Sequence, residues 1–253
     1  MITYVLFSPG GNITALVSDA VALPGRALLA QAIMRADPLI EQVGFTFSID
    51  SENLLFGLDM MGGEFCVNAA RTAALFWSRK NNCKKLSLQI SGFAEQCSAM
   101  IKNDMVTLEI PGTFFLRSTD IPEGKLVDFS GIRFVVGNDL FDPDALLDVI
   151  KKYTDAHFPA IGFIYTTPTI PMGIIPYVWV RATGTLIKET ACGSGSIATC
   201  IAQHGVLEKN ILPVVQPSGD QYLVAFKQTG ETLHSITISG RVEYLDTKTI
   251  ADN

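Results

Sequence analysis

Glu64-Phe65-Cys66-Val67-Asn68-Ala69-Ala70-Arg71-Thr72-Ala73-Ala74 and Glu189-Thr190-Ala191-Cys192-Gly193-Ser194-Gly195-Ser196-Ile197-Ala198 share one frame. In each, an acid stands two or three places before a cysteine, small polar residues follow, and an alanine-rich helical run continues. A cysteine that opens a helix meets the positive end of the helix dipole and unpaired N–H groups, which favour its thiolate. The same N–H groups can hold a substrate carboxylate. A chain that builds this segment twice, about half its length apart, can set two thiols face to face across one site. Two opposed proton carriers are what inversion at a carbon centre requires.

Outward from these segments, strands and single helices alternate irregularly. Ile2 to Phe7 and Ile13 to Val17 read as strands around Ser8-Pro9-Gly10-Gly11-Asn12. Pro24 opens a helix that Asp37-Pro38 stops, and Val43 to Ile49 and Leu54 to Asp59 alternate like paired strands. The Cys66 helix runs to about Arg79, and short strands follow near Leu86 to Ile90, Ala94 to Ile101 and Val106 to Ile110. The second half repeats the plan: a strand at Arg133 to Val136, a helix from Asp142 to about His157, strands at Ile161 to Tyr165 and Tyr177 to Arg181, then the Cys192 helix. Strands at Tyr222 to Phe226 and Ser235 to Tyr244 close the chain, and Ile90-Ser91-Gly92 is echoed by Ile238-Ser239-Gly240. The pattern predicts an α+β protein of two similar lobes, divided between Pro111-Gly112 and Pro122-Glu123-Gly124.

Composition narrows the class. The 253 residues are 48% apolar and 17% charged with net charge −6, which fits a well-buried globular protein and not a nucleic-acid binder. Met1 to Ser8 carries no basic n-region, so no secretory signal is expected. The apolar stretch Ala160 to Val180 is broken by Pro168, Pro171 and Pro176, so it predicts two strands and a turn, not a membrane span. Five cysteines without paired spacing point to free thiols in a reducing cytoplasm, with Cys83, Cys97 and Cys200 read as ordinary core residues. Gly193 to Ala198 matches G-x-G-x-x-A, but few residues remain and the next acid, Glu208, comes too early for a dinucleotide fold. His157, His204 and His234 show no metal-ligand spacing. No cofactor and no metal are expected.

At these residues the chain resembles the diaminopimelate epimerase superfamily, the cofactor-independent two-cysteine racemases and epimerases. Its early Gly-Asn turn, C-G-N-G-x-R and A-C-G-[ST]-G segments appear as Gly11-Asn12, Cys66-Val67-Asn68-Ala69-Ala70-Arg71 and Ala191-Cys192-Gly193-Ser194-Gly195. The resemblance implies two pseudo-symmetric lobes, 1–118 with Cys66 and 119–253 with Cys192, each a long helix wrapped by mostly antiparallel strands. The active site would lie in the cleft between them. Cys66 and Cys192 would be the acid/base pair. Asn68, Ala69, Gly193 and Ser194 would face the substrate carboxylate, and Asn12 and Gln42 would line the site.

The departures bear on the substrate. Val67 and Ala69 replace glycines, and Thr183 to Glu189 lacks the arginine that diaminopimelate enzymes use for the distal carboxylate. An unpaired carboxylate in a closed cleft is costly. Gly11-Asn12-Ile13-Thr14, Glu41-Gln42-Val43-Gly44-Phe45 and the two cysteine segments look instead like the histidine racemase branch, with Asp59, Glu64 or Glu189 available to a basic or imidazole side chain. The resulting expectation is a racemase of a free amino acid, histidine first. Diaminopimelate epimerisation, isomerisation of a non-amino acid, and a thiol-redox or binding role stay open. Oligomeric state is open too, a homodimer included.

Overall fold

The computed structural model describes residues 1–137, 143–205 and 211–251. The predicted helix start at Asp142, and Glu208, lie outside them. The first part runs β1 (Ile2–Pro9), β2 (Thr14–Val17), α1 (Leu23–Ala36), β3 (Gln42–Asp50), β4 (Leu55–Met60), α2 (Val67–Asn81), β5 (Lys85–Ile90), β6 (Cys97–Lys102) and β7 (Met105–Pro111). The second runs β8 (Phe115–Ile121), β9 (Gly124–Phe129), β10 (Ile132–Gly137), α3 (Pro143–Tyr153), β11 (Ala160–Thr167), β12 (Met172–Val180), β13 (Thr185–Lys188), α4 (Gly193–His204), β14 (Ile211–Val215), β15 (Gln221–Thr229) and β16 (Thr232–Ile250).

The strands form one continuous sheet. β1 to β7 lie in chain order, β16 follows β7, and β16 also pairs β1, which closes an eight-stranded barrel. From β16 the sheet continues through β15, β14, β12, β11, β10, β9 and β8. Four neighbouring pairs are parallel: β2–β3, β4–β5, β10–β11 and β12–β14. A parallel pair needs a crossover, and α1, α2, α3 and α4 supply one each.

This overturns the expected α+β protein built on two long helices. The chain is mainly β, with about half its residues in strands and about a fifth in helices. α2 has 15 residues and α4 only 12. The frame is the closed barrel, and the helices are short crossovers. α2 lies against all eight barrel strands, and its fully buried Ala69, Ala70, Ala73 and Ala74 keep it thin enough to do so. The helical runs stand out in composition, whereas closure rests on pairing between the two ends of the chain. Ala160 to Val180 forms the antiparallel pair β11–β12, and no described helix is long and apolar enough to cross a membrane.

Packing under the site sets the approach to Cys66. Phe65, Phe114 and Phe129 form a buried aromatic stack, the last two parallel at 4.6 Å. Gly92 adopts φ +78°, and a Cβ there would stand 2.8 Å from the Phe65 nitrogen. Beside it the Ser91 hydroxyl donates to the Glu64 carbonyl at 2.7 Å and accepts from the Met60 amide. Ser91-Gly92 therefore seats the turn that carries Cys66. The echo at Ser239-Gly240 does other work: Ser239 pairs with Thr107 across the barrel seam.

Candidate active site

Cys66 and Cys192 occupy the same structural position twice. Each is the N-cap of its helix, with φ/ψ of −129°/114° and −137°/107°. Each sulfur accepts a backbone amide three residues on, Ala69 at 3.4 Å and Gly195 at 3.3 Å. The sulfurs thus stand where Ser, Thr or Asp would cap a helix.

The two helix starts abut. Asn68 Nδ2 donates to the Ala191 carbonyl at 2.8 Å, and the Val67 amide donates to Ser194 Oγ at 3.4 Å. Small residues permit this approach: a Cβ on Gly193 would lie 2.5 Å from Val67 Cγ1.

Both cysteines line one narrow cavity of about 30 Å³, with Gln42, Glu64, Asn68, Glu189, Gly193 and Ser194 around them and Val178, Val180 and Ile187 on an apolar side. Two expected residues stand one layer back. Asn12 is fully buried behind Gln42 and donates to Glu41, and Ala69 contributes only its amide to Cys66. Asp59 is paired with Arg26.

Three residues that carried no role in the sequence reading prove central. Gln216 accepts the Cys192 amide at 2.8 Å and donates to Ser196 Oγ at 2.9 Å. Tyr222 sets its hydroxyl against the Pro9 carbonyl and Asn68 Oδ1. Glu41 receives the amide and hydroxyl of Thr190 and the side-chain amide of Asn12. For Gln216 and Tyr222 no local signal exists, since their partners lie far off in sequence. Glu41 stands in a segment that the resemblance highlighted.

The electrostatics run against the simple helix-end argument. Burial and the charge of Glu189 push the Cys66 thiol up, and burial and Glu189 do the same to Cys192. The capping amides pull the other way but are outweighed. Burial also raises Glu64 to about 7 and Glu189 to about 8, the latter with Glu41 and Glu64 adding to it. Both thiols are therefore held protonated at neutral pH. Among the described residues no lysine or arginine lines the cavity, and no group of three His, Cys, Asp or Glu is arranged to hold a metal.

The same fold occurs in solved structures of other proteins. The crystal structure of a probable proline racemase from Agrobacterium radiobacter K84 matches with TM-score 0.67 over 100% of this chain and 94% of that one, at 12% identity. A hydroxyproline epimerase from Agrobacterium vitis, with bound trans-4-hydroxy-L-proline, gives 0.63 over 98% and 90%, at 13% identity. At such identities the likeness is one of fold.

Sequence goes further. The family model described as the histidine racemase CntK N-terminal domain matches residues 1–249, and the chain belongs to that family. Two histidine racemases from strains of Fusobacterium nucleatum subsp. nucleatum are 29% and 30% identical over 238 and 240 residues, 87% of this chain and 87% and 88% of theirs. The chain is an isomerase of the racemase class.

Proposed function

We propose that the protein racemises free histidine without pyridoxal phosphate, with Cys66 and Cys192 as the two proton carriers. The observation that carries this reading is the twin placement of the two sulfurs, each capping a helix and both lining one cavity. Residues 1–118 supply one carrier and residues 119–253 the other. In the reaction one sulfur, as thiolate, takes the α-proton as the Cα–H bond breaks. The opposite thiol gives its proton to the other face as the new Cα–H bond forms. The substrate carboxylate lies at the paired helix starts, where the N–H groups near Asn68 and Ser194 stabilise the charge that develops on it.

The choice of histidine rests on the family and on the acids. Glu64 and Glu189 are 4% and 7% exposed, and Glu189 Oε2 has no described partner. An ammonium group and a basic ring match two buried carboxyls, whereas a second substrate carboxylate meets none of its needs here. A cationic substrate beside either sulfur also favours its thiolate, against the burial that holds both thiols protonated. The free thiols suit a reducing cytoplasm.

The test is a screen of single L-amino acids in deuterated water without added pyridoxal phosphate, diaminopimelate included. Histidine should exchange its α-hydrogen and lose optical rotation. Undiminished racemisation by both Cys66→Ala and Cys192→Ala would sink the two-thiol mechanism, and turnover of diaminopimelate alone would overturn the substrate.

A further inference from the structure

We propose that Glu41 is a positioning residue that keeps the proton on Cys66, acting through the fixed orientation of two buried amides. The proposal rests on the reading of Cys66 as a proton carrier.

The hydrogen bonds form one directed chain. Thr190 donates to Glu41 from its amide, at 2.9 Å, and from its hydroxyl. Glu41 Oε2 accepts Asn12 Nδ2 at 2.7 Å. Asn12 Oδ1 then faces inward and accepts Gln42 Nε2 at 2.8 Å and the Thr14 hydroxyl at 3.0 Å. Gln42 Nε2 also donates to Thr14 Oγ1 at 2.7 Å. That leaves Gln42 Oε1 as the atom that meets Cys66 Sγ, at 3.0 Å.

Each orientation follows from the one before it. A carboxylate accepts only, so the NH2 end of Asn12 must turn toward Glu41, and the same logic turns Gln42. The chain therefore presents an acceptor to Cys66, and an acceptor bonds the thiol and repels the thiolate. Asn12 is fully buried and Gln42 is 4% exposed, so water does not compete for these bonds. If the acceptor at position 41 is removed, Gln42 is free to turn its NH2 toward the sulfur and favour the thiolate instead. The other ionisable groups that face Cys66 are Glu64 from the turn before α2, and Glu189 and Cys192 from the segment before α4. The far end of the chain, Thr190, lies on that same segment, so the seat of Cys192 and the proton on Cys66 are mechanically joined.

The experiment is iodoacetamide labelling of the intact protein across pH, with each cysteine followed by peptide mass spectrometry. In Glu41→Gln the amide oxygen can still accept both the Thr190 amide and Asn12 at the Oε2 position, so the direction holds and Cys66 should keep its rate. In Glu41→Met no acceptor remains, so the chain loses its direction. Cys66 should then label about ten-fold faster at neutral pH, the change that a fall of one pKa unit gives, while Cys83, outside the chain, keeps its rate. Asn12→Leu, which cuts the same chain one step further on, should shift Cys66 in the same direction, and it carries the test if Glu41→Met does not fold. Adding Glu41→Met to Gln42→Met should change nothing further, because the path runs through Gln42.

An unchanged Cys66 rate in folded Glu41→Met, or in Asn12→Leu alone, overturns the proposal. So does an effect of Glu41→Met that persists in the Gln42→Met background, or a full effect in Glu41→Gln, either of which would mark a plain loss of charge. Labelling reads the sulfur directly, so a wild-type protein that fails to racemise any amino acid counts against the proposed reaction and leaves this result standing.

Discussion

The side-chain amide of Asn68 donates to the carbonyl of Ala191 at 2.8 Å, and so ties the first turn of α2 to the residue before Cys192. The spacing of the two sulfurs depends on this bond and on the Val67–Ser194 contact beside it.

Asn68→Ala leaves the Ala191 carbonyl without this partner and frees Tyr222 of one of its two contacts. A lost buried hydrogen bond costs about 1–3 kcal/mol. Racemisation followed by circular dichroism should fall in kcat by roughly ten- to a hundred-fold, with a melting temperature lowered by a few degrees. Full activity would show that the two helix starts are aligned by other contacts.

Gly193→Ala forces a methyl against Val67, since its Cβ would stand 2.5 Å from Val67 Cγ1. Overpacking of this kind costs about 1–3 kcal/mol. The substitution should lower both stability and turnover, and adding Val67→Ala should restore much of each. A double variant no better than the single one would place the damage elsewhere.

The raised carboxyls make stability depend on pH. Glu189 titrates near 8 and Glu64 near 7 in the folded chain, and both near 4.5 when unfolded. Between those values the folded state binds more protons, so their contribution is fully present below about pH 4.5 and is lost as pH rises toward 7 and 8. Glu189→Gln removes its share of that dependence. Relative to the wild type, the variant should melt higher at pH 8 by the equivalent of roughly 2–5 kcal/mol, with little gain at pH 5. An equal shift at both pH values would contradict a carboxyl held neutral by burial.

Gln216→Leu strips the Cys192 amide of its acceptor and Ser196 Oγ of a donor at the start of α4. The cost should again be about 1–3 kcal/mol. The useful sign is a drop in kcat at unchanged KM, because Gln216 is absent from the cavity lining. A rise in KM alone would point to a direct role in binding.

The helices and their cysteines were legible because their signals are local: a capping residue, small neighbours and an alanine run within one turn. Gln42, Glu64, Asn68, Glu189, Gly193 and Ser194 do gather at the cavity, since they sit within a few residues of a cysteine or pair with one. The architecture was less legible. β8 is largely exposed along its length and offers no apolar alternation. β16 runs 19 residues, past the predicted end at Tyr244, and its outer half is mostly exposed as well. Gln216 and Tyr222 matter only through partners on other elements, one 24 residues away and the other 154 or more. No window of sequence contains such a relationship.

β16 comes last among the described strands, yet it sits between β7 and β1 and also carries β15. During synthesis the first seven strands must wait with an open seam until this segment leaves the ribosome. Contacts between chain ends are slow to form because the loop they close is long. The cradle of Cys66 is thus complete only once β16 has been made. A nascent chain cut short before β16 should expose three unpaired strand edges, on β1, β7 and β15, and be prone to aggregate.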